Sequence, residues 1–427
     1  MEKQEIKSLI VEYQEFVRGV RLVERPIELE ENANYVFVGM RRTGKSYLLY
    51  QIIQQKLQQN FSKEDILYVN FEDERFAEAT TQDLNLILEC YKELYDRQPV
   101  VFLDEVQVIP AWQKFVRRLA DTQYRVYVSG SNAEMLSGEI ATTLGGRFIV
   151  YEVFPYSFTE FLQSNDVKLE KNWEFSNTKN KVIGLADLYV EYGGLPEILQ
   201  MSNKRQWLSG VYQKIFLGDI VTRYAIRNDR AIRLLIKKLA ENITKPVSFN
   251  RLANVVSAAG AKIGVSTVTE YLEHAQNSWL IFGISNYAAT FSDKESIKKY
   301  YFVDNGILRL FLINGQSSAL ENVVASQLWR KYGADLYYYT QNVEVDFYIP
   351  HIKTAIQVSY TISVENTFNR EVNALKKIAN VFPVEKALII TFDEEQTVEI
   401  DDTLAIDVVP LWKWLVEITQ FIQNNPH

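Results

Sequence analysis

The stretch that decides the fold is Gly39-Met40-Arg41-Arg42-Thr43-Gly44-Lys45-Ser46, which follows the short apolar run Tyr35–Val38. It fits the pattern G-x-x-x-x-G-K-[ST] of a phosphate-binding loop placed between a strand and a helix. In such a loop the backbone N–H groups point inward at phosphate oxygens, and the N-terminus of the next helix adds partial positive charge. The residues that the pattern assigns to phosphate binding are Gly39, Arg41, Arg42, Thr43, Gly44, Lys45 and Ser46.

Two side chains of this loop have more specific predicted roles. The ammonium group of Lys45 is expected to reach the β- and γ-phosphates, and the hydroxyl of Ser46 is expected to ligate Mg²⁺. The alternative is a glycine-rich turn without a ligand, which gives no reason for a lysine and a serine directly after Gly44. The sequence therefore predicts ATP and Mg²⁺ as cofactors.

A second apolar run, Val100–Leu103, ends in two acids, Asp104 and Glu105. This arrangement is typical of a Walker B motif, in which Asp104 holds Mg²⁺ directly or through water and Glu105 acts as the general base on the attacking water. Taken alone, the run is equally a strand that meets a polar loop. After a phosphate-binding loop at this separation, the Walker B interpretation is favoured, and the second acid favours hydrolysis over a slow GTPase-like switch.

A third run, Val126–Val128, is followed by the small polar residues Ser-Gly-Ser-Asn. Either Ser131 or Asn132 is a candidate sensor that bonds the γ-phosphate or the water, and the alternative is a loop that caps the next helix. Arg147 follows two glycines and is a candidate arginine finger, with a plain surface arginine as the alternative. The predicted catalytic residues are therefore Glu105, Asn132 and Arg147.

The pattern around these motifs predicts the fold class. Short apolar runs alternate with amphipathic helices up to about residue 150, which indicates an α/β domain with a parallel sheet covered on both faces. Residues 1–33 are predicted to form a helix. The predicted strands are Tyr35–Val38, Ile66–Phe71, Val100–Leu103 and Val126–Val128, and the predicted helices between them are Lys45–Leu57, Thr81–Tyr95 and Ala111–Ala120.

Composition excludes several classes of protein. The chain has 427 residues, a net charge of −8 and one cysteine, Cys90, so an intrachain disulfide is impossible and general nucleic-acid stickiness is disfavoured. Met1–Glu15 lacks the apolar region of a signal peptide, and no stretch approaches the ~20 apolar residues of a membrane span. We therefore expect a cytoplasmic protein with no membrane partner.

A set of ordered motifs covers nearly the whole chain: Tyr68–Phe76, Leu103–Gln107, Ser129–Ser131, Gly145–Arg147, Tyr192–Pro196, Tyr301–Gly306, Leu320–Asn322 and Glu344–Phe347. Together they resemble the predicted bacterial and archaeal AAA-type P-loop ATPases that carry a distinctive C-terminal domain. The resemblance implies a P-loop ATPase domain at 1–155, a helical lid or connector at 156–240, a winged-helix-like domain at 241–310 and a PD-(D/E)XK nuclease-like α/β domain at 311–427.

The winged-helix interpretation rests on two helices, Ser248–Ala258 and Ser266–Asn277, each with a serine as its expected N-cap. The wing is expected at Trp279–Tyr287 and Lys299–Val303. The second helix would enter a DNA groove, yet its exposed candidates include two acids and no lysine or arginine. DNA is therefore the less favoured partner, a protein-docking or connecting role is preferred, and no zinc site is predicted.

In the last domain, Glu344 and Asp346 alternate along a strand and share one of its faces. If Ile349 pairs with Thr354 on the next strand, Asp346 faces Gln357 and Glu344 faces Ser359. Those positions, with Glu321 from a helix, would cluster the motif of a nuclease-type metal site.

The chemistry at this predicted site departs from the pattern that the resemblance implies, which requires an acid and a lysine on the second strand. Gln357 offers a neutral oxygen and Ser359 offers no cation, so Mg²⁺ binding and phosphorane stabilisation are both weakened. We expect no nuclease activity.

The sequence supports an ATP-hydrolysing AAA-type enzyme whose nucleotide state acts on its appended domains. A regulatory or signalling role through a protein partner is preferred, and a nucleic-acid-processing ATPase is the alternative. Glu105 beside Asp104 disfavours a non-hydrolysing scaffold. The partner and the oligomeric state remain open at this level.

Overall fold

The computed structural model describes residues 2–136, 138–401 and 404–424. These residues form two compact units. The first holds the chain up to Phe154 together with Asn277–Trp279, and the second holds the chain from Pro155 onward apart from those three residues.

The described part of the first unit is built on a five-stranded parallel sheet in the order β2-β3-β4-β1-β5. Helices connect successive strands, as parallel pairing requires. The strands are β1 (Asn34–Val38), β2 (Ile66–Asn70), β3 (Val100–Asp104), β4 (Val126–Gly130) and β5 (Phe148–Glu152). The helices are α1 (Lys3–Gly19), α2 (Lys45–Gln58), α3 (Thr81–Tyr95), α4 (Trp112–Asp121) and α5 (Gly138–Leu144).

The predicted parallel α/β sheet is confirmed, with strand and helix ends shifted by one or two residues. β5 was not among the predicted strands; it lies at the edge of the sheet, where Ile149 and Val150 are exposed in place of a buried strand's apolar run. The predicted helix over residues 1–33 is wrong in extent, since α1 ends at Gly19 and residues 20–30 have no regular structure. Pro26 contributes to that difference because it disfavours helical backbone at the residue before it.

The second unit begins with helices and contains, within the described residues, a mixed nine-stranded sheet in the order β13-β14-β12-β11-β10-β9-β7-β8-β6. The helices are α6 (Phe158–Ser164), α7 (Asn177–Tyr192), α8 (Lys204–Lys214), α9 (Asp229–Glu241), α10 (Phe249–Ala258), α11 (Val265–Asn277), α12 (Phe291–Ser296), α13 (Asn305–Arg309), α14 (Gln316–Tyr332), α15 (Glu365–Ala379) and α16 (Leu411–Asn424). The strands are β6 (Val247–Ser248), β7 (Ile281–Asn286), β8 (Ile297–Phe302), β9 (Tyr337–Thr340), β10 (Glu344–Ile349), β11 (Thr354–Val358), β12 (Lys386–Thr391), β13 (Gln396–Asp401) and β14 (Leu404–Pro410).

The two predicted helices and β-ribbon are present as α10, α11 and the antiparallel pair β7–β8. Ser248 caps α10, with its hydroxyl accepting from the Arg251 amide at 3.3 Å. The expected cap at Ser266 is wrong, because α11 already begins at Val265 and Ser266 lies in its first turn. The ribbon does not stand alone, since β7 pairs in parallel with β9 through Ser285 and Tyr337 and thereby joins the C-terminal strands in one sheet.

A buried polar joint holds the helical part of this unit to its sheet. The carboxylate of Asp304, which follows β8, accepts hydrogen bonds from the amides of Gly194 at 2.9 Å and Ile307 at 3.2 Å. Burial raises the pKa of Asp304 to about 6, against the lowering effect of these amides. The glycine pair after α7 is therefore placed by a carboxylate more than 100 residues away in the sequence.

We expect Gly193→Ala to lower the unfolding free energy by about 2 kcal/mol or more. Gly193 has φ 75° and ψ −167°, a conformation that only glycine adopts readily, and an added Cβ would lie 2.3 Å from the Asp304 carboxylate. Scanning calorimetry of the full chain measures the loss. The matched control is Gly184→Ala on the exposed face of α7, where an added Cβ meets nothing within 4 Å and stability should rise slightly. Equal effects at the two positions would contradict this account of Gly193.

Candidate nucleotide-binding site

The loop between β1 and α2 has the backbone of a phosphate cradle. Gly39 approaches Val153 so closely that an added Cβ would lie 2.2 Å from the Val153 carbonyl oxygen. Gly44 is the N-cap of α2 and has a left-handed backbone, with φ 92° and ψ 23°. Both glycines are therefore required by geometry, in a loop that leads into the N-terminus of α2.

Lys45 is buried in the hollow of this loop. Its ammonium donates to the carbonyl oxygens of Gly39 at 3.2 Å and Met40 at 3.1 Å, and it lies 3.4 Å from a carboxylate oxygen of Glu105. The structure thus brings the predicted phosphate-binding lysine and the predicted general base into one ion pair.

Asp104 is fully buried at the carboxyl end of β3, where it accepts hydrogen bonds from Ser129, from Tyr68 at 2.7 Å and from Ser46. Burial and the neighbouring Glu105 charge raise the pKa of Asp104, while these three hydroxyl donors lower it. Ser46 and Asp104, the two predicted Mg²⁺ ligands, are in direct contact. Their hydroxyl and carboxylate oxygens are the donor types that Mg²⁺ takes in proteins.

Glu105 has a left-handed backbone, with φ 52° and ψ 41°, and is stabilised by two contacts besides Lys45. Gln107 donates to its carboxylate at 2.6 Å, and the Glu105 amide donates to the Ser129 hydroxyl at 3.0 Å. Burial raises the pKa of Glu105, but the Lys45 charge and the Gln107 hydrogen bond outweigh it, so the pKa is below its usual value. The side chain is therefore ionised at neutral pH, as a general base must be.

The remaining loop side chains stabilise the loop itself or extend beyond it. Thr43 is buried and its hydroxyl donates to the Met40 carbonyl at 2.9 Å. Arg41 pairs with Glu72, and its charge also reaches Glu105. Arg42 has a positive φ of 65° and contributes to the turn of the backbone.

Asn132 and Arg147, the other predicted catalytic residues, have different placements. Asn132 lies at the same edge as the loop, but its side chain accepts from the Glu134 amide at 2.8 Å and donates to the Glu134 carboxylate, so here it caps the following turn. Arg147 precedes β5 and pairs with Asp121 at the opposite edge of the sheet, beside Asn34. β1 has five residues at ~3.3 Å each, so Arg147 and the loop are separated by its length.

Sequence reasoning missed three residues that hold the acidic pair: Ser129, Tyr68 and Gln107. Ser129 bridges Asp104 and the Glu105 amide, and Gln107 links Glu105 to Ser131 at 3.3 Å. Ser129 and Tyr68 had one available signal, a polar group within a buried parallel strand. Such a group requires a partner, and the adjacent strand end is the nearest place to find it.

The predicted pairing of β10 with β11 is confirmed at Ile349↔Thr354 and continues to Phe347↔Ile356. Beyond that point side chains replace the backbone ladder, since Gln357 accepts from the Asp346 amide at 2.8 Å and Asp346 accepts from the Val358 amide at 2.9 Å. Asp346 and Gln357 are therefore neighbours, as expected.

The next expected pair in this register, Glu344 with Ser359, is wrong. Glu344 pairs with Thr340 on β9, and the Ser359 hydroxyl donates to Thr361. The two strands have separated at this point, because Gln357 and Asp346 have taken the backbone groups that would continue the ladder.

Comparison with known proteins agrees with this geometry. Residues 31–162 match the family described as "AAA domain", and residues 184–318 match a domain of unknown function, DUF8612. The uncharacterized protein MJ1544 of Methanocaldococcus jannaschii is 31% identical over 424 residues, which cover 96% of this chain and 94% of that protein. The chain belongs to this family of AAA-domain proteins. An uncharacterized protein of Haemophilus influenzae is 30% identical over 396 residues, or 90% of this chain and 94% of the relative.

Solved structures show only a distant likeness. The Aeropyrum pernix ORC1 protein in complex with DNA aligns with a TM-score of 0.29 and 14% identity, over 75% of this chain and 94% of that one. Cdc6p from Pyrobaculum aerophilum aligns with a TM-score of 0.24 and 13% identity, over 76% of this chain and 94% of that one.

No helix among the described residues combines the length and the apolar character that a membrane span requires.

We expect Ser129→Ala to lower the unfolding free energy by about 1–3 kcal/mol, the usual cost of leaving buried polar groups without a partner. The change removes a donor to the buried Asp104 carboxylate and the acceptor of the Glu105 amide. Urea denaturation of the full chain, followed by circular dichroism, measures the loss. Ser8→Ala on exposed α1 is the control and should stay within about 0.5 kcal/mol of the parent. A similar value for Ser129→Ala would show that the bridge contributes little.

Proposed function

We propose that the protein binds ATP with Mg²⁺, hydrolyses it, and passes its nucleotide state to the second unit, which recognises a protein partner. The observation that carries the proposal is the convergence of Lys45, Glu105, Asp104 and Ser46 at the carboxyl edge of the sheet. A phosphate-binding lysine, a metal-binding hydroxyl and carboxylate, and an ionised base are the groups that nucleotide hydrolysis needs.

The donor set fits both cofactors. The loop amides and Lys45 would hold the β- and γ-phosphates, while Ser46 and Asp104 would hold Mg²⁺. Mg²⁺ held there would neutralise the charge that develops on the phosphate. The buried Oε1 atom of Gln107 has no hydrogen-bond partner among the described residues, and it lies on the side chain that orients Glu105. It is an acceptor well placed to orient a water beside the proposed base.

In the proposed mechanism Lys45 leaves its contact with Glu105 when it takes a phosphate oxygen. Glu105 then accepts a proton from the attacking water, and Gln107 holds the carboxylate in position for that transfer. Burial and the Glu105 charge raise the pKa of Asp104 overall, and the hydroxyl donors around its carboxylate oppose that shift. Arg147 lies at the end of the strands opposite the phosphate-binding loop. An arginine-finger role for it would therefore require a neighbouring copy of the chain.

We expect Glu105→Gln to bind ATP but to lose turnover by about 10²-fold or more, because the amide keeps the shape of the side chain and cannot accept a proton. Lys45→Ala is the contrasting variant and should lose ATP affinity itself, since it removes a phosphate contact. Calorimetric titration with ATP and a phosphate-release assay separate the two effects. Unchanged turnover in Glu105→Gln would assign the base elsewhere, and parental ATP affinity in Lys45→Ala would refute the phosphate-binding loop.

A route for coupling exists inside the first unit. The buried Arg25 guanidinium donates to the Thr43 carbonyl in the loop at 3.0 Å and to the Phe154 carbonyl at 3.1 Å. Val153, which touches Gly39, donates its amide to the Val38 carbonyl at 2.6 Å. Phe154 is the last residue before the second unit begins, so a change in the loop on nucleotide binding acts directly on the chain that leads there.

We expect Arg25→Met to retain ATP binding while losing the effect of ATP on the second unit, because methionine keeps the aliphatic length and removes both donors. Hydrogen exchange with and without ATP, in a Glu105→Gln background that holds the nucleotide, measures this. Protection beyond residue 155 should respond to ATP in the background protein and fail to respond when Arg25→Met is added. A parent in which ATP alters only the first unit would refute the coupling.

The proposed partner follows from the surface of α11 and the chemistry of β11. The helix of the winged-helix-like segment (241–310) exposes Glu270 and Glu273 and carries no lysine or arginine, which disfavours the nucleic-acid alternative. The nuclease-like segment (311–427) has Gln357 and Ser359 where a nuclease needs an acid and a lysine. We therefore propose a regulatory cytoplasmic ATPase, with 156–240 as the connecting helical segment.

A further inference from the structure

A buried lysine lies at the centre of the acids that the nuclease-like motif supplies. Lys299, on β8, has no exposed surface. Its ammonium lies 2.8 Å from a carboxylate oxygen of Glu344, 3.3 Å from one of Asp346 and 3.8 Å from one of Glu321. The three acids come from α14 and β10, so oxygens from separate elements converge on one positive atom.

This convergence depends on a bend in the sheet. β8 and β10 are separated by β7 and β9 in the strand order, yet the ring of Tyr301 on β8 lies 5.7 Å from the ring of Phe347 on β10. β7 and β9 share only a short pairing, through Ser285↔Tyr337 and Asn286↔Tyr338. The sheet therefore curves there enough for one face of β8 to reach the same face of β10.

The electrostatics favour a permanent positive charge at this point. Burial lowers the pKa of Lys299, but the charges of Glu321, Asp346 and Glu344 outweigh it, and the pKa is raised overall. Burial and the charge of Asp346 raise the pKa of Glu321, whose carboxylate also accepts a hydrogen bond from Tyr301 at 2.7 Å. Without a cation, the largely buried carboxylates of Glu321 and Asp346 would repel each other at a cost in stability.

Other contacts complete the cluster around the ammonium. The second oxygen of Asp346 is taken by the Val358 amide, and the amide nitrogen of Gln357 donates to Glu371 at 2.8 Å. Among the described residues, no three His, Cys, Asp or Glu side chains are arranged to hold a metal ion. The ammonium instead lies within ion-pair distance of all three carboxylates, and the oxygens of Glu344 at 2.8 Å and Asp346 at 3.3 Å are within its hydrogen-bond reach.

We propose that the Lys299 ammonium is the resident cation of a divalent-cation site, and that it holds the position a metal ion would take among Glu321, Glu344 and Asp346. The protein then binds no divalent metal there and performs no metal-dependent cleavage, although the acids of such a site are present. Removal of the ammonium converts the cluster into a metal site that Mn²⁺ or Mg²⁺ enters past the half-exposed Glu344.

This proposal is independent of nucleotide hydrolysis and is tested on the nucleotide-free full chain. Lys299→Met keeps an unbranched stem of four atoms and removes the ammonium with its charge. In EDTA this variant should unfold at a lower temperature than the parent, and MnCl₂ should restore its unfolding temperature in a concentration-dependent manner, as mass action requires. In the parent, any change in unfolding temperature on adding MnCl₂ should be the same with and without Asp346→Asn.

Two matched variants identify the site. Lys298→Met, the neighbouring lysine on β8 that faces Glu295, should behave like the parent. Asp346→Asn added to Lys299→Met should abolish the response to Mn²⁺. Electron paramagnetic resonance counts bound Mn²⁺ directly, so binding is read even where a variant has no sharp thermal transition.

The opposite results overturn the proposal. Mn²⁺ binding to the parent that Asp346→Asn abolishes would mean that Lys299 does not occupy the cation position. A Lys299→Met protein that binds no Mn²⁺, whether it is folded or stays unfolded when Mn²⁺ is added, would show that the acids form an ion-pair network and no cation site.

Discussion

The site in the first unit depends on one constraint, which is that the buried carboxylate of Asp104 must be given hydrogen-bond donors. An ionised carboxylate without partners is costly in a protein interior. Asp104 receives its donors from Tyr68 on β2, Ser129 on β4 and Ser46 at the start of α2. These elements meet only because β2, β3, β4 and β1 are parallel and end at the same edge of the sheet.

In the second unit, buried carboxylates also need partners, and the ammonium of Lys299 supplies them. Three acids from α14 and β10 lie near one another, and they pair with Lys299 on β8, which is three places from β10 in the strand order. In the first unit, Lys45 contacts two carbonyl oxygens and the Glu105 carboxylate. In the proposed function, a phosphate replaces these partners of its ammonium. Lys299, in contrast, is fully buried among its carboxylate partners.

Close backbone contacts explain how a local event at the loop would reach further. Gly39 touches Val153, and Arg25 joins the carbonyl groups of Thr43 and Phe154. Packed interiors deform little, so a shift of the loop displaces the chain bonded to it. In the second unit, the Asp304 carboxylate likewise fixes the glycine pair that follows α7.

Sequence patterns alone predicted the parallel α/β sheet, the phosphate-binding loop, the acidic pair after β3 and the pairing of Ile349 with Thr354. These follow from local patterns: apolar runs, two glycines flanking four residues, and side-chain alternation along a strand. The sequence did not reveal that Arg147 lies at the amino ends of the strands, away from the loop. The strand that follows it, β5, is the outermost strand of the sheet and lacks the run of buried apolar residues that identifies a strand.

Only the tertiary structure decided which residues surround the two clusters of charge. Ser129 and Tyr68 are linked to Asp104 across strands, and Lys299 reaches Asp346 from 47 positions earlier in the chain. No spacing rule encodes such contacts, since they depend on strand order and on the curvature of the sheet. Local sequence patterns therefore indicate which functional groups are present, while long-range packing determines which of them contact one another as ion pairs or hydrogen bonds.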